Sequence, residues 1–153
     1  MITLDEYAGP YRNHRDFNDI ENLKSAYTLV NAVAEVMVLA TAEVEFVKNP
    51  ATESFIAGNG NGGFRPQESR VGARASKHKL GQAVDIYDPH RQLARGCLRN
   101  QDILIAHRLH AMEDPRWTPS WVHLQTQPVA SGNFLFIPNS SPPLASALPE
   151  QLA

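Results

Sequence analysis

The sequence lacks the residues that several classes of protein need. Its 153 residues include a single cysteine, Cys97, so no intrachain disulfide and no thiolate metal cluster can form. The net charge is −2, and the chain has no excess of basic residues of the kind that phosphate backbones attract. We therefore expect no nucleic-acid partner. Any metal site has to be built from His, Asp or Glu side chains.

Long uninterrupted apolar runs are also missing. The longest apolar stretch, from Val30 to Val44, contains four polar residues and is too short and too polar to cross a bilayer. The first residues, MITLDEYAGPYRNHRD, include early acids and no apolar core of the signal-peptide type. We therefore predict synthesis and folding in the cytoplasm, without membrane insertion. If the target lies outside the membrane, another component has to deliver the protein.

Length and composition fit one small domain. Apolar residues make up 42% of the chain and charged residues 20%, an ordinary globular mixture. We place this domain at residues 1–138 and favour a monomer. The remaining residues, 139–153, are rich in Pro, Ser and Ala, and we expect a loosely ordered tail there.

Hydrophobic periodicity predicts an α+β fold. Apolar residues recur at intervals of three and four from about Asp19 to Phe46 and from about Asn100 to Met112, which favours two helices. A turn at Gly132-Asn133 would let the last two predicted strands pair as a hairpin. The runs that we predict to be strands are Ser54–Ala57, Ala83–Tyr87, Trp121–Gln125 and Phe134–Pro138.

The glycine-rich segment GNGNGGFR, residues 58–65, does not have the pattern of a nucleotide-binding loop. No Gly-Lys-Ser/Thr follows it, and no GxGxxG opens a helix. A tight turn that brings backbone close to a ligand or a strand is the better interpretation.

Two short segments carry the candidate chemistry, SKHKLGQAVD at 76–85 and WVHLQT at 121–126. Asp85 lies inside the apolar run AVDIY, and His123 lies between two apolar residues, so both need a partner if they are buried. Together with His78 they provide two imidazoles and one carboxylate. This set matches a catalytic Zn²⁺ site, in which three protein ligands leave a fourth position open. Spacing alone also allows a structural ion pair without metal.

These segments resemble a known family. The pattern SxHxxGxAxD, followed later by WxH, is similar to the signature of the zinc D-alanyl-D-alanine peptidases. That group includes vancomycin-resistance-type carboxypeptidases, phage L-alanyl-D-glutamate endolysins and the Hedgehog signalling domain. NGGFR is similar to the SGYR element of the same family. The residues that match the two main motifs are Ser76, His78, Gly81, Ala83, Asp85, Trp121 and His123.

The resemblance implies a role for each matching position. His78, Asp85 and His123 would be the zinc ligands. Arg65 would contact the substrate, either its carboxylate or the carbonyl oxygen under attack, which suits a permanently charged guanidinium. Ser76 and Trp121 would line the binding site.

The resemblance also implies an architecture. A Hedgehog/DD-peptidase-like fold would have a small, mostly antiparallel sheet with packed helices. This sheet would carry the zinc ligands on one face and the long helix on the other.

One position departs from the family pattern. The family usually has Glu or Asp three residues before the last zinc histidine, and this carboxylate acts as general base. The chain has Ser120 there, and a serine cannot accept a proton from the zinc-bound water near neutral pH. Our candidate replacements are Glu113, taken as the tentative base, with Asp114 and Glu68 as alternatives. Glu113 and Asp114 can also be simple helix-end residues.

The function implied by the resemblance is that of a zinc metallopeptidase, a hydrolase acting on cell-wall peptidoglycan. Its substrate would be a stem peptide, cut at D-Ala-D-Ala in the manner of a carboxypeptidase or at L-Ala-D-Glu in the manner of an endolysin. The absence of a signal peptide favours a phage or prophage origin, with delivery by a holin or a virion. Because of Ser120, a catalytically weak or inactive zinc-binding recognition module is the alternative. A core network of His and Asp without metal is a third.

Overall fold

The computed structural model describes residues 1–138 and has an α+β architecture with a small mixed sheet. The predicted tail at 139–153 lies outside the described residues. Two 3-10 helices cover Gly9–Tyr11 and Lys77–Leu80. The α-helices are α1 (Leu4–Ala8), α2 (Ile20–Ala40), α3 (Gln92–Arg99) and α4 (Gln101–Ala106). The strands are β1 (Ala83–Tyr87), β2 (Ala111–Glu113), β3 (Trp121–Gln125) and β4 (Leu135–Phe136).

The sheet has the strand order β1-β3-β2-β4. β3 pairs antiparallel with both β1 and β2, whereas β2 and β4 are parallel. The predicted strands at 83–87 and 121–125 are confirmed, but the predicted hairpin between the last two strands is wrong. Residues 126–134 form a long connection instead of a tight turn, and β4 reaches β2, where the Met112 amide donates to the Phe134 carbonyl at 2.8 Å.

The long helix α2 begins close to its predicted start and ends before its predicted end. The Asp19 carboxylate caps it by accepting from the amides of Glu21 and Asn22, which satisfies two otherwise unpaired donors. The helix ends at Ala40 and not at Phe46. Beyond that end, the backbone amide of Glu45 donates to the Gln92 side chain, so tertiary contacts replace the helical hydrogen bonds.

The second predicted helix is wrong in its extent. Helix α4 ends at Ala106, Arg108 adopts a left-handed φ of 68°, and Ala111–Glu113 is strand β2. Apolar spacing alone did not reveal this change, because pairing with β3 overrides local helix preference. Helix α3 was not predicted. Its first amides, at Leu93 and Ala94, are capped by the Asp88 carboxylate.

The sheet separates a hydrophobic face from a polar face. Side chains alternate along a strand, so the apolar neighbours of Asp85 and His123 point to the opposite side of the sheet. That apolar side belongs to one buried cluster with α2, which places the long helix across the sheet from the two polar residues. Members of the cluster include Leu29, Val33, Val84, Ile86, Met112, Val122 and Leu124.

Helix α2 is also long and apolar enough to cross a membrane by length and composition alone. This differs from the expectation drawn from the stretch Val30–Val44, because the helix begins earlier, at Ile20. One of its faces, including Ala26, Leu29 and Val33, is buried in the domain, as in the core helix of a globular protein. The helix is therefore weak evidence for a membrane span.

Gly81 lies where α2 approaches the segment that carries His78 and Asp85. Its φ is +70°, a conformation that residues with a Cβ rarely adopt. A Cβ at this position would lie 2.5 Å from the Asn22 carbonyl oxygen and 3.1 Å from the Ala26 amide nitrogen. Both backbone conformation and available space therefore require glycine between the two candidate ligands.

We predict that Gly81→Ala lowers the free energy of unfolding by about 2–4 kcal/mol, because it combines an unfavourable φ with a backbone clash. Gly132→Ala is the matched control, since Gly132 has a φ of +74° but nothing within 4 Å of the added Cβ. That control should lose only about 1 kcal/mol. Urea denaturation followed by tryptophan fluorescence measures both values. Equal losses of unfolding free energy in the two variants would show that the close approach of α2 to Gly81 does not add to the cost of the substitution.

Candidate metal centre

The centre is built on one cross-strand pair. Asp85 on β1 lies directly opposite His123 on β3. The Asp85 amide donates to the Gly62 carbonyl at 2.7 Å, and the Asp85 carbonyl accepts from the Ala57 amide at 2.9 Å. Both backbone groups therefore point away from β3, so Asp85 and His123 form a non-hydrogen-bonded pair, the type in which facing side chains come closest. His123 Nδ1 lies 2.8 Å from Asp85 Oδ1.

His78 reaches the same point from the 3-10 helix before β1. Its Nδ1 lies 2.8 Å from the carbonyl oxygen of Gly63, which can only accept, so Nδ1 carries a proton. In the neutral ring, Nε2 is then left with a lone pair. This Nε2 lies 3.3 Å from His123 Nδ1 and 3.4 Å from Asp85 Oδ1.

Gln125 orients the His123 ring. The Gln125 side-chain nitrogen donates to the Gln127 carbonyl at 2.6 Å, so its oxygen Oε1 has to face the other way. That oxygen lies 3.2 Å from His123 Nε2 and accepts its proton. In the neutral ring, His123 Nδ1 is therefore the nitrogen with a lone pair, and it faces Asp85 and His78.

Three donor atoms thus converge at one buried point. The candidate ligand atoms of His78, Asp85 and His123 all lie within 4.8 Å of one another, and the group can hold a metal ion. Outward-facing imidazole nitrogens that are held by carbonyl or amide oxygens are the usual support of metal-binding histidines. The structure brings together all three residues that the sequence motifs predicted.

The charges at the centre shift the pKa values of its members. Burial alone would raise the pKa of Asp85, but the charge of His78 and the hydrogen bonds from His123 and His78 outweigh it and hold that pKa well below its usual range. Burial lowers the pKa of His78. Burial would also lower the pKa of His123. The hydrogen bond and charge interaction between His123 and Asp85 outweigh this effect, so the pKa of His123 is raised. Asp85 is therefore ionised, and His123 is the imidazole that holds a proton most strongly.

Arg65 binds the outer oxygen of the same carboxylate. Its Nη2 lies 3.2 Å from Asp85 Oδ2, and its Nε donates to the Asn61 carbonyl. Gly72 lies against the other end of the guanidinium, since a Cβ there would be 2.5 Å from Arg65 Nη1. The side chain is buried and held in a fixed orientation beside the three donor atoms.

The centre forms the floor of a cleft of about 650 Å³. Ser76 and Trp121, expected at the binding site, both line it. Phe136 on β4 closes one side, with its ring 5.8 Å from that of His123 in an edge contact. The lining residues are Arg65, Gly72, Ala73, Ala75, Ser76, Lys77, His78, Asp85, Glu113, Trp121, His123, Gln125, Phe136 and Pro138.

The residues considered for the role of general base differ in their position relative to the cleft. Glu113 lines it. Asp114 is engaged by Arg116 at 2.7 Å, and Glu68 by His14 at 2.8 Å. Ser120 is exposed, and its carbonyl accepts from the Asp88 amide at 2.8 Å. Of these four residues, Glu113 alone lies among those that line the cleft.

Strand pairing explains the position of Glu113. β2 pairs with β3 so that Met112 lies opposite Leu124, and extending that register by one residue sets Glu113 opposite His123. The side chains of Asp85, His123 and Glu113 therefore follow one row across three strands. Burial raises the pKa of Glu113 above its ordinary value, although the charge of His123 opposes this. A carboxyl group with a raised pKa suits proton transfer near neutral pH.

Sequence reasoning assigned no role to two groups at this centre, the side chain of Gln125 and the carbonyl of Gly63. Gln125 occurs in the motif WVHLQT, two residues after His123, and strand alternation places both side chains on one face. That signal was available in the sequence. The Gly63 contact joins residues far apart in the chain and had no comparable signal.

Comparison of the chain with protein-family models, with curated proteins and with solved structures found no significant match.

We predict that Gln125→Met weakens metal binding about 10- to 100-fold, because His123 loses the acceptor that orients its ring. Gln127→Met is the matched control, since Gln127 contributes only its backbone carbonyl to this network. Competition with a chelating indicator measures both affinities. Equal affinity in Gln125→Met and wild type would contradict the proposed role of the amide.

We also predict that metal affinity falls as the pH is lowered. Asp85 stays ionised, but His123 has to lose its proton before Nδ1 can bind a metal, and its raised pKa moves this loss to higher pH than in free imidazole. Affinity should therefore decline as the pH drops through the pKa of His123, by up to about tenfold per pH unit. Titrations between about pH 8 and about pH 5.5 test this expectation. An affinity that does not change with pH would contradict it.

Proposed function

We propose that the chain is a zinc-dependent peptidase that hydrolyses a peptide bond in the stem peptides of peptidoglycan. The observation that carries this proposal is the convergence of His78 Nε2, Asp85 Oδ1 and His123 Nδ1 at the floor of an open cleft. The motifs that resemble the zinc D-alanyl-D-alanine peptidases supply these same three residues. The α+β fold, with the ligand row on one sheet face and the long helix on the other, supports assignment to the Hedgehog/DD-peptidase fold.

The donor set suits zinc. Two imidazole nitrogens and one carboxylate oxygen form a common catalytic zinc site, and tetrahedral bonds of this type separate neighbouring donors by about 3.3 Å. Two of the donor separations here are 3.3 and 3.4 Å. The third, 2.8 Å, is that of a charge-assisted hydrogen bond between His123 and Asp85. Zinc held at such a site polarises a substrate carbonyl and makes water more acidic.

The side chains around the donors have roles that follow from their positions. Glu113, in the same row as His123, would accept a proton from the attacking water and pass it to the leaving amine. Arg65 lies beside the donors, and its guanidinium is held in place by Asp85. It would therefore stabilise the negative charge that develops on the carbonyl oxygen of the substrate. Trp121 and Phe136 would form an apolar wall for the substrate, and Ser76 would donate a hydrogen bond to it.

The first test is metal content by elemental analysis. Wild-type protein, freed of metal by a chelator and reloaded, should retain about one zinc ion per chain. His123→Ala should lose it, while the control His107→Ala should keep it, because His107 pairs with Glu35 away from the cleft. A wild-type protein that takes up no zinc would overturn the proposal at its first step.

The second test is the identity of the base. Glu113→Gln should lower kcat on a stem pentapeptide by about 10² to 10⁴, because the neutral amide cannot accept a proton. Zinc content should be unchanged. Ser120→Ala is the control and should retain wild-type activity, since Ser120 lies outside the cleft lining. The reverse pattern would show that Ser120, and not Glu113, belongs to the catalytic machinery.

The second candidate function is a zinc-binding module that recognises cell-wall peptides without cleaving them. The observation that favours it is Ser120, which occupies the usual base position of the family. Such a module would bind zinc and insoluble peptidoglycan but release no fragments. Mass spectrometry of the soluble products separates it from the peptidase.

A further inference from the structure

Two charged side chains that line the cleft have no ion-pair or hydrogen-bond partner among residues 1–138, namely Lys77 and Glu113. The other charged groups at the floor are joined to one another, as Arg65 and Asp85 show. Glu113 already has a proposed role as the base. Lys77 is half-buried, lines the cleft and is therefore placed where a substrate group can pair with it. A few polar groups that converge on a cleft are typical of a ligand site.

Lys77 and Glu113 reach the cleft from different elements. Lys77 begins the 3-10 helix that leads into β1, the strand of Asp85. Glu113 is on β2, which is separated from β1 by β3, the strand of His123. The cleft therefore offers one cation and one carboxylate from separate elements, together with the candidate metal ligands.

The segment before Lys77 adds positive charge near it. Residues 66–76 are mostly exposed and carry two arginines, Arg70 and Arg74. Their single acid, Glu68, is bound by His14 at 2.8 Å. These exposed arginines therefore attract anionic groups toward Lys77.

We infer that Lys77 forms a subsite for a carboxylate on the substrate residue that follows the scissile bond. Ser76, whose hydroxyl makes no capping hydrogen bond, lies beside it and would donate to the same carboxylate. Arg65 is a poorer candidate for this role, since its Nη2 and Nε are already bound to Asp85 and Asn61. The inference depends on the proposed peptidase function and narrows its substrate class.

Both bonds considered above satisfy this requirement. In D-Ala-D-Ala, the residue after the bond carries the C-terminal carboxylate. In L-Ala-D-Glu, the D-Glu residue continues through its γ-carboxyl, so its α-carboxylate is free. The substrate would therefore be a peptide in which a residue with a free α-carboxylate directly follows the cleaved bond.

The experiment compares wild type, Lys77→Met and Lys77→Arg, all loaded with zinc. Lys24→Met is the matched control, because Lys24 is an exposed lysine on α2 that pairs with Glu21 at 3.3 Å and does not line the cleft. The substrates are a synthetic stem pentapeptide and two derivatives, one with a C-terminal amide and one with the D-Glu α-carboxylate replaced by an amide. Mass spectrometry shows which bond is cut and hence which derivative removes the relevant carboxylate.

Wild type should prefer the carboxylate over the matching amide about 10- to 100-fold in kcat/KM, as expected for a hydrogen bond to a charged group. Lys77→Met should lose this preference through a higher KM for the carboxylate, with unchanged activity on the amide. Lys77→Arg and Lys24→Met should keep it. Metal content and the unfolding midpoint show whether each variant is folded.

If Lys77→Met lowers kcat/KM equally for the carboxylate peptide and its amide derivative, or lowers it for neither, the subsite is overturned and the peptidase proposal is unaffected. If wild type cleaves none of the peptides, the peptidase proposal fails. Binding of the uncleaved pentapeptide to zinc-loaded protein, followed by calorimetry, then tests the subsite alone. Binding that needs both the carboxylate and Lys77 supports the subsite, whereas binding that needs neither, or no binding, overturns it.

Discussion

The contact between Asp85 and His123 is the interaction on which the rest of the site depends. A carboxylate at this depth has to have partners, and both of its oxygens find them: Oδ1 faces the two imidazoles, and Oδ2 binds Arg65. The contact is short because the backbone of Asp85 bonds away from β3, toward Ala57 and Gly62. Pairing of the segment 57–62 with β1 therefore determines how closely the two side chains approach.

The polar face is organised to leave lone pairs pointing inward. Gly63 and Gln125 take the outward protons of His78 and His123, and neither contact depends on a metal. His123 is the imidazole that holds a proton more strongly, because Asp85 raises its pKa against the effect of burial. A metal would replace that proton with little rearrangement of the donors. A rigid sheet provides this kind of preorganisation for a catalytic or binding site.

Most of the elements that hold the site were predictable, and the errors have a common cause. The strands at 83–87 and 121–125 were predicted because their apolar runs are short and bounded by turn residues. Residues 111 and 112 were wrongly predicted as helix, and the predicted hairpin to the last strand was also wrong. Both features depend on which strands pair. Pairing over long sequence distances leaves no local periodicity to detect.

The sequence by itself determined the candidate ligands. A histidine or aspartate inside an apolar strand has to point to the polar face. The glycine at position 81, between His78 and Asp85 in the chain, is required because a side chain there would clash with the backbone of α2. Only the tertiary structure decided which nitrogen of each ring faces inward and which carboxylate joins the row. Glu113 and Asp114 are neighbours in the chain, yet strand alternation places Glu113 in the cleft, and Asp114 pairs with Arg116. That difference arises from the register between β2 and β3, which no single segment encodes.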